Sequence, residues 1–307
     1  MKDISVIICT HNPRRDYLVR VLTALREQTL HSNRWELLLI DNHSDECLAD
    51  AYDLSWHASA RHLREEELGL TPARLRGIKE AAGELLIFVD DDNVLAPSFL
   101  ETAAAIHLNF PQLGAFGAGT ITAEFETAPK RELAPYLKML TLRNEAKAAW
   151  SNFVNYNCSS PWGAGLCVLR RVGLVYLETS ASDVVRRSLD RRGNSLLSCG
   201  DLDLSLCACK AGYGTGVFPE LAVLHLIPSR RLERRYLVEL AGGNVTSHVI
   251  LSRLWGYENA IPENPVLGWL RHLKRLFTLQ GIDREIYLAE RRARKNAEVV
   301  RAGRAPA

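Results

Sequence analysis

The first third of the chain alternates short apolar runs with segments of helical periodicity. Three runs rich in Val, Ile and Leu predict strands that are buried on both faces. They are ISVIICT at 4–10, WELLLID at 35–41 and ELLIFVD at 84–90. Continuous runs of this kind are typical of parallel sheets that helices cover on both sides.

The segments between these strands place apolar residues at the spacing of amphipathic helices. Residues 14–28 follow Pro13, while residues 71–83 contain Pro72 in their first turn and end at Gly83. These are common start and stop signals of helices. The β-α-β-α-β order therefore predicts an α/β fold, with a mixed, mainly parallel, Rossmann-like sheet flanked by helices.

Polar residues cluster at the carboxyl end of each of the three predicted strands. Thr10 to Asn12 lie at the end of the first strand, Asp41 at the end of the second and Asp90 to Asp92 at the end of the third. Because ligands of such sheets bind outside the carboxyl ends of the strands, we expect these clusters to converge on one site. Asp41 alone is better explained as a turn residue, but the three clusters together favour a binding role.

The three successive aspartates need a positive partner, since adjacent carboxylates repel one another and are costly to bury. Oxygen ligands at the rim of a nucleotide-binding sheet suit Mg²⁺ or Mn²⁺, with substrate phosphates completing the coordination. Alternate side chains of an extended segment share a face, so Asp90 and Asp92 can point into the site together. Asp91 then points away or meets another part of the ligand.

With these motifs the sequence resembles the family-2 glycosyltransferases of the GT-A fold, of the bacterial type. The resemblance rests on an ordered set of segments across roughly residues 4–230: CTHNP, IDNHSDE, GLTPARLRGI, GELLIFVDDDN, WGAGLCVLRR and GDLDLSLCACKAGYG. It implies a nucleotide-diphospho-sugar donor and Mn²⁺ or Mg²⁺ as cofactor. It also implies a glycan, lipid-linked or other hydroxyl acceptor, usually with inversion at the anomeric carbon.

The resemblance assigns roles to residues by their position in these motifs. The expected contacts of the donor nucleotide are Thr10, Asn12, Asp41, Arg74, Asp90 and Asp91. The expected metal ligands are Asp92 and Asp90. His225, at the end of the predicted strand LAVLHL, is a further candidate ligand because imidazole accepts Mn²⁺, although a lone histidine is more often satisfied by the protein itself.

Asp201 is the candidate catalytic base, which would take a proton from the acceptor hydroxyl. By resemblance it is the second acid of a Glu-Asp pair, and Gly200 replaces the first, which puts the handling of the acceptor in question. The alternative role of Asp201 is a helix N-cap. Asp203 lies two residues further along a helix and cannot face the same acceptor, so we expect it to favour the helix dipole.

The glycine-rich segment WGAGLCVLRR is expected to border the donor sugar or acceptor. Trp162 could stack on a sugar ring, and Gly163 and Gly165 would let the backbone approach it closely. A core tryptophan at a turn is an equally good reading. Before this segment, Trp150, Phe153 and Tyr156 could line the acceptor side or pack in the core.

Composition narrows the class of protein without changing this picture. The chain has 307 residues, 47% hydrophobic and 24% charged, enough for one full core and an appendage. Seven scattered cysteines favour buried free thiols over disulfides, and Cys207 and Cys209 alone are a weak metal motif. GYGTG at 212–216 lacks the Lys and Ser or Thr of a phosphate loop and predicts a tight turn.

Charge divides the chain into two regions. The net charge is +2, yet residues 229–307 contain fifteen Lys and Arg against eight Asp and Glu. We therefore predict a catalytic domain at 1–228, with a nucleotide-binding half at 1–120 and an acceptor-side half at 121–228. Residues 229–307 are predicted to form a basic, mainly helical C-terminal extension.

The extension bears on where the protein acts. In LGWLRHLKRLF, the residues Leu267, Leu270, Leu273 and Phe277 lie near one helical face beside three basic residues. Packing or a solvated face is favoured, and contact with anionic lipid is the alternative. With no signal peptide or spanning segment apparent, we expect a cytoplasmic protein. If the helix contacts anionic lipid, the protein would be peripheral at the inner membrane face. We expect no nucleic acid partner.

Two other functions compete with that of a metal-dependent glycosyltransferase. A nucleotidyltransferase would share the sheet but needs a glycine-rich loop near the N-terminus, and CTHNPRRDY has no glycine. A catalytically degenerate fold that binds carbohydrate or nucleotide, or serves as a scaffold, is the stronger alternative, and Gly200 is the feature in its favour.

Overall fold

The computed structural model describes residues 2–193, 195–257 and 265–300. Within these ranges, ten strands form one sheet. The strands are β1 Ile4–Thr10, β2 Trp35–Asn42, β3 Ala60–Glu65, β4 Leu85–Asp90, β5 Asn93–Leu95, β6 Leu113–Phe125, β7 Arg143–Asn144, β8 Ala149–Ser151, β9 Leu166–Leu169 and β10 Gly214–Ile227. Their order is β3-β2-β1-β4-β9-β6-β10-β5, with β7 beside β6 and β8 beside β10.

Helices cover the sheet. The α-helices are α1 Arg15–Arg26, α2 Leu48–Ala51, α3 Leu70–Glu80, α4 Phe99–Asn109, α5 Arg170–Ala181, α6 Val184–Ser188, α7 Gly200–Lys210, α8 Arg234–Trp255, α9 Pro265–Thr278 and α10 Gly281–Val300. Three short 3-10 helices lie at Ser32–Arg34, Arg131–Leu140 and Ser229–Leu232.

The predicted mixed, mainly parallel sheet is confirmed. Strands β3, β2, β1 and β4 pair in parallel, as do β6 and β10 over the longest ladder. Strand β9 is antiparallel to both of its neighbours. The three predicted strands and two predicted helices of the first third are present, with ends that shift by three residues at most.

Continuous burial explains why the predicted strands form. Every residue of β1 and β2 is buried, and the apolar residues of these strands belong to the main hydrophobic core. Helix α1 buries Leu18, Val21, Leu22 and Leu25, the i, i+3, i+4, i+7 face that its sequence predicts. The sheet and its helices thus form a rigid support for the strand ends.

Strand register determines which side chains meet at the carboxyl edge. Cys9 of β1 is paired with Asp90 of β4, so the next residues of the two segments, Thr10 at the end of β1 and Asp91 after β4, are neighbours. On the other side, β5 pairs with β10 so that Asn93 faces His225. The aspartate run is therefore held between the end of β1 and the end of β10.

The polypeptide after β10 packs on the same body before it extends outward. Helix α8 places Leu237 and Leu240 in a cluster with Ile227, and Leu251 in another cluster with Leu202. The predicted boundary at residue 228 remains a prediction, and the last residues of the proposed extension, 301–307, lie outside the described residues. None of the described helices has the length and apolar character required to cross a bilayer.

Smaller predictions have mixed outcomes. All seven cysteines are free, as expected, but Cys47 and Cys158 are exposed. Gly212, with φ of +83°, makes the tight turn predicted between α7 and β10. Asp203 lies in the first turn of α7, but it is fully buried, ion-paired with Arg186, and accepts a hydrogen bond from Trp255 Nε1 at 2.6 Å. Besides its place in the first turn, Asp203 therefore takes part in a buried ion pair.

Candidate functional site

A cavity of about 450 Å³ lies at the carboxyl edge of the sheet. It brings together residues from β1, β4, α3, α7 and β10, which are distant in sequence. The predicted site residues that line it are Thr10, Asn12, Arg74, Asp90, Asp91, Asp92, Gly163, Asp201 and His225. Three other predicted residues, Asp41, Trp162 and Gly165, are not part of this lining.

The loop after β1 is fixed by hydrogen bonds to its neighbours. Thr10 Oγ1 donates to an Asp91 carboxylate oxygen. Asn12 has a φ of +48°, which asparagine tolerates better than most residues. Its backbone N–H donates to Ser44 Oγ at 3.0 Å, and its Oδ1 accepts from the Asp45 N–H at 2.9 Å. Thr10 and Asn12 are thereby held at the wall of the cavity.

The aspartate run contains more negative charge than its surroundings neutralise. Burial and the carboxylate of Asp92 raise the pKa of Asp90 to about 6, against the opposing effect of Arg74. Burial and Asp92 raise the pKa of Asp91 to about 7, against the hydrogen bond from Thr10. A cation that enters between these carboxylates would relieve both effects.

Asp92 differs from its two neighbours because the protein neutralises it. Burial alone would raise the pKa of Asp92, but Arg231 and His225 outweigh that effect and hold this pKa well below its usual range. Arg231 Nη2 lies 3.0 Å from Asp92 Oδ2, and Arg231 Nη1 lies 3.0 Å from His225 Nε2. One guanidinium group therefore spans the carboxylate and the imidazole.

The tautomer of His225 follows from its other contact. Its Nδ1 lies 3.1 Å from the carbonyl oxygen of Leu140, which only accepts hydrogen bonds. In the neutral ring, the hydrogen is therefore on Nδ1, and Nε2 presents a lone pair toward Arg231 and Asp92. Metal-binding histidines are commonly oriented by a carbonyl in this way.

These atoms provide a test of whether a divalent cation fits the site. In the described part of the chain, no three His, Cys, Asp or Glu side chains are already grouped as a metal site. His225 Nε2 and Asp92 Oδ2 are 3.5 Å apart, close enough for one ion to contact both, because such ions lie ~2.1 Å from their ligands. The donor set fits a cation if Arg231 moves aside.

Asp201 lies at the N-terminus of α7, as expected from the sequence. Its Oδ2 accepts the Gly163 N–H at 2.6 Å, and its Oδ1 accepts the Leu202 N–H at 2.8 Å. Burial and the nearby carboxylate of Asp190 raise the pKa of Asp201, while Arg74 opposes them. The carboxylate is thus anchored at the wall of the cavity and made more basic than an exposed aspartate.

Arg74 lines the cavity as predicted but is already paired. Its Nη1 donates to Asp190 Oδ2, and both side chains are buried. Burial lowers the pKa of Arg74, but the carboxylates of Asp190 and Asp201 outweigh this and raise it. The guanidinium group therefore remains charged in the interior.

Sequence reasoning missed two residues of the site, Asp190 and Arg231. Asp190 lies in a connection between helices with no recognised motif, and its φ of +77° is an unusual conformation that the sequence does not signal. Arg231 follows His225 by six residues in the segment HLIPSRR. A basic residue so close to a candidate ligand was the only available signal.

The structure places the remaining candidates elsewhere. Asp41 is buried below the loop, where its carboxylate accepts from Arg64 Nη1 and from the Ser44 N–H at 2.8 and 2.9 Å. It stabilises the turn, which is the role that its sequence context favoured when it was considered alone. Its predicted contact with the donor nucleotide stays a prediction.

Gly165 and Trp162 also have other neighbours. A Cβ on Gly165 would lie 2.8 Å from the ring of Phe99, and its φ is +72°, so this glycine is required by packing and backbone conformation. Trp162 lines a second cavity, where the Arg143 guanidinium stacks 3.6 Å from its ring centroid. Its ring is therefore already covered on one face.

The aromatic residues before this segment are largely exposed. Trp150, Phe153 and Tyr156 have relative exposures of 56%, 70% and 42%. Core packing is therefore the wrong explanation for them. Tyr156 also lines the second cavity together with Trp162.

The lining of the main cavity is rich in arginine. Besides Arg74 and Arg231, the lining includes Arg14, Arg191, Arg192 and Arg230. Arginine is well suited to bind phosphate because its planar group donates two parallel hydrogen bonds. The cavity therefore combines acidic and basic side chains in one lining.

Comparison with known proteins places this arrangement among sugar-transferring enzymes. The model of a family described as glycosyl transferase family 2 matches residues 5–158. A polypeptide N-acetylgalactosaminyltransferase 8 of Drosophila melanogaster is 30% identical over 109 residues, which are 34% of this chain and 18% of that protein. A polypeptide N-acetylgalactosaminyltransferase 5 of Caenorhabditis elegans is 35% identical over 91 residues, 28% of this chain and 14% of that protein.

Solved structures with a similar fold include TarS of S. aureus. The crystal structure of TarS 1-349 in complex with UDP-GlcNAc matches with a TM-score of 0.55 and 18% identity, over 97% of this chain and 79% of that one. The complex of TarS 1-349 with UDP gives a TM-score of 0.52 and 15% identity, over 100% of this chain and 93% of that one. At these identities the match shows a shared GT-A fold. The aligned regions span less than a fifth of the two N-acetylgalactosaminyltransferases.

Proposed function

The chain belongs to glycosyl transferase family 2, and on that premise we propose that it transfers a sugar from a nucleotide-diphospho-sugar to an acceptor hydroxyl. The observation that carries the proposal is the main cavity itself. Five aspartates and six arginines line one cavity at the carboxyl edge of the sheet, the edge where α/β folds bind nucleotides. A donor with two phosphates and a bound cation would satisfy both sets of charges.

We propose a UDP-sugar as the first donor to test. TarS was crystallised with UDP and with UDP-GlcNAc, and the two animal relatives are named for N-acetylgalactosamine transfer. In this chain, Thr10, Asn12 and Asp91 stand at the end of β1 and β4 to receive the nucleoside. Arginines of the cavity lining would bind the diphosphate.

Asp90, Asp92 and His225 are the residues that would hold Mn²⁺ or Mg²⁺. When bound, the cation would neutralise negative charge that develops on the departing diphosphate. The raised pKa values of Asp90, about 6, and Asp91, about 7, support this assignment because burial and the Asp92 carboxylate disfavour the charged forms, which a bound cation would stabilise.

Asp201 is the proposed general base. Two backbone N–H groups orient its carboxylate, and its raised pKa strengthens it as a proton acceptor. It would take the proton from the acceptor hydroxyl as that oxygen attacks the anomeric carbon from the face opposite the leaving group. This single displacement inverts the configuration of the sugar.

Two isosteric variants test the proposal. Wild-type protein should release UDP from a UDP-sugar in a Mn²⁺-dependent reaction. Asp92→Asn should lose turnover, and with it the dependence on Mn²⁺. Asp201→Asn should keep donor binding and lose transfer by about a hundredfold or more, the usual scale of a general base. A screen of nucleotide sugars by thermal shift, with and without Mn²⁺, identifies the donor to use.

The outcomes separate this function from a binding or scaffold role. Nucleotide binding without turnover, even when cell extracts supply acceptors, would favour the degenerate fold that Gly200 raised as an alternative. Undiminished transfer by Asp201→Asn would remove this residue as the base. Residues 1–228 are the proposed catalytic domain, followed by the helical extension.

We also propose that helix α9 contacts the inner surface of a membrane. Leu267, Leu270 and Phe277 remain exposed, at 50%, 50% and 84%, instead of packing on the body. Lys274 and Arg275 lie beside them, and helix α9 contains no Asp or Glu. An exposed apolar strip flanked by basic residues is typical of helices that lie on anionic lipid.

Vesicle flotation tests this contact. Full-length protein should float with vesicles that contain phosphatidylglycerol and not with neutral phosphatidylcholine vesicles. Leu270→Ser with Phe277→Ser should abolish flotation, while Leu108→Ser, at another exposed apolar position, should not. Equal binding of the wild type and the α9 variant would contradict the proposal.

A further inference from the structure

Asp190 is a buried acid of the cavity wall that the mechanism above does not use. Its carboxylate accepts hydrogen bonds from Arg74 Nη1 and from the Gly200 N–H, the latter at 2.9 Å. Thr71 Oγ1 lies 3.4 Å away. The connection that carries Asp190 is not part of any strand or helix, yet the side chain is held on three sides.

The space around Gly200 reveals where this carboxylate lies. A Cβ built on Gly200 would be 1.9 Å from Asp190 Oδ2 and 2.5 Å from its Cγ. Real Cβ atoms do not approach other atoms so closely, so the Asp190 carboxylate fills the space in which a side chain at position 200 would begin. The space between positions 190 and 200 has room for only one side chain, and that of Asp190 occupies it.

This shared space explains the departure from the Glu-Asp pattern noted in the sequence. The wall of the cavity does contain a second acid besides Asp201, but residue 190 supplies it and not residue 200. A Cβ on Gly163 would lie 3.3 Å from Arg74 Nη2 and 3.3 Å from Asp201 Oδ2, so the guanidinium that Asp190 binds also lies near Asp201. The charges of both carboxylates raise the pKa of Arg74.

We propose that Asp190 is a positioning residue that supplies, from a different segment, the carboxylate missing at position 200 and aims Arg74 at the donor diphosphate. This proposal rests on the proposed function, because Arg74 contacts a diphosphate only if the protein binds a nucleotide-sugar donor. The sequence contains glycine at 200 because any side chain there would displace Asp190. Asp190 acts through Arg74 and does not itself touch the reacting atoms.

A purely structural ion pair is the competing explanation, and it predicts different results. A buried pair that only stabilises the fold would lower the melting temperature when broken, with no separate effect on donor affinity. A positioning residue changes donor affinity in protein that is still folded. If Asp190 is a positioning residue, donor affinity depends on a carboxylate beside Arg74, whether residue 190 or residue 200 supplies it.

The first experiment tests the shared space by melting temperature. Gly200→Ala should lower the melting temperature by several degrees, because its Cβ meets the Asp190 carboxylate. Asp190→Gly suits the positive φ at this position and opens the space. In that background, adding Gly200→Ala should cause no further loss. Additive effects, or a Gly200→Ala variant that melts as the wild type does, would overturn the proposal.

The second experiment tests the positioning role by titration with UDP and Mn²⁺. Asp190→Asn keeps the shape of the side chain and should weaken UDP binding by about tenfold. Asp190→Gly should weaken it similarly, and the double variant Asp190→Gly, Gly200→Glu should recover most of the affinity because it returns a carboxylate beside Arg74. Wild-type affinity in Asp190→Asn would contradict the role, as would failure of recovery in a folded double variant.

The two experiments also separate this inference from the proposed function. If the wild type bound none of the nucleotides in a panel of diphosphates, the proposed donor site would be wrong. The melting-temperature cycle would still decide whether Asp190 occupies the space of position 200. Binding by the wild type together with additive melting effects would instead remove the inference and leave the function intact.

Discussion

Arg231 is the residue whose placement has the clearest consequence for metal binding. Its guanidinium forms an ion pair with Asp92 and donates a hydrogen bond to His225, each at 3.0 Å, and both side chains are proposed ligands of the cation. The charged guanidinium group of Arg231 must move away from these atoms before a divalent ion can bind them. Arg231 therefore competes with the cation for the site.

Replacing this residue should tighten the binding of the metal alone. We expect Arg231→Gln to bind Mn²⁺ about tenfold more tightly than the wild type, because Asp92 and His225 lose their internal partner. Calorimetric titration in the absence of nucleotide measures this directly. Arg230→Gln is the matched control, since Arg230 lines the same cavity and is not paired with Asp92. Equal affinities for all three proteins would contradict the competition.

Asp91 gives the protein a pH dependence of known sign. Its pKa is about 7 in the folded chain and about 3.9 in an unfolded one. Between these values the folded state holds a proton that the unfolded state has released, so this group lowers stability as pH rises through the window. The carboxylate is destabilising at pH 7.5 unless a cation accompanies it.

Asp91→Asn should therefore stabilise the metal-free protein at neutral pH. We expect a free energy of unfolding higher than that of the wild type by about 2 kcal/mol at pH 7.5 and little changed near pH 4. Urea unfolding in the presence of a chelator, at several pH values, checks the trend. A difference that is independent of pH would show that Asp91 is not the titrating group.

At the scale of elements, helix α8 connects the extension to the cavity wall. Its Ser247 Oγ accepts the Ser198 N–H at 2.9 Å, and Gly243 approaches the backbone of Leu196. Ser198 and Leu196 both line the main cavity. The helix therefore holds the segment that leads from Asp190 into α7.

Two adjacent glycines of α8 should respond oppositely to the same substitution. A Cβ on Gly243 would lie 2.5 Å from the Leu196 carbonyl oxygen, whereas a Cβ on Gly242 would have its nearest neighbour, the Ala289 carbonyl oxygen, at 3.7 Å. Gly243→Ala should destabilise the protein by about 1–3 kcal/mol because the backbone must shift. Gly242→Ala should stabilise it by about 0.5–1 kcal/mol through helix propensity.

Thermal and urea unfolding of the two variants check this pair. The segment at Leu196 should also become more accessible to limited proteolysis in Gly243→Ala. Equal effects of the two substitutions would show that α8 does not press on this segment as the structure indicates.

Elements with one dominant local signal were predictable from the sequence. The strands β1, β2 and β4 consist of continuous apolar residues, and parallel pairing follows from their spacing, so their polar ends were expected at one edge. Strand β9 runs antiparallel between β4 and β6, which depends on long-range pairing that no local pattern encodes. The connection around Asp190 is equally invisible in sequence.

At the scale of the whole molecule, the structure brings together the predicted residues at the ends of strands β1 and β4, while packing places other predicted residues away from the cavity. Thr10, Asp90 and Asp92 converge because register requires it. Gly165 was assigned to the sugar, but the ring of Phe99 accounts for it. Asp41 shares the same edge, yet Arg64 draws its carboxylate away from the cavity. The contacts with Phe99 and Arg64 join residues distant in sequence, so the sequence alone could not reveal them.

The guanidinium shared by Asp92 and His225 also has a consequence for the order in which ligands assemble. A diphosphate that attracts Arg231 would release the two atoms that a cation needs, and a bound cation would in turn release Arg231 to the diphosphate. By thermodynamic reciprocity, each ligand must then enhance the affinity of the other by the same factor. Nucleotide and metal are thus expected to enter as a cooperative pair, each binding weakly alone.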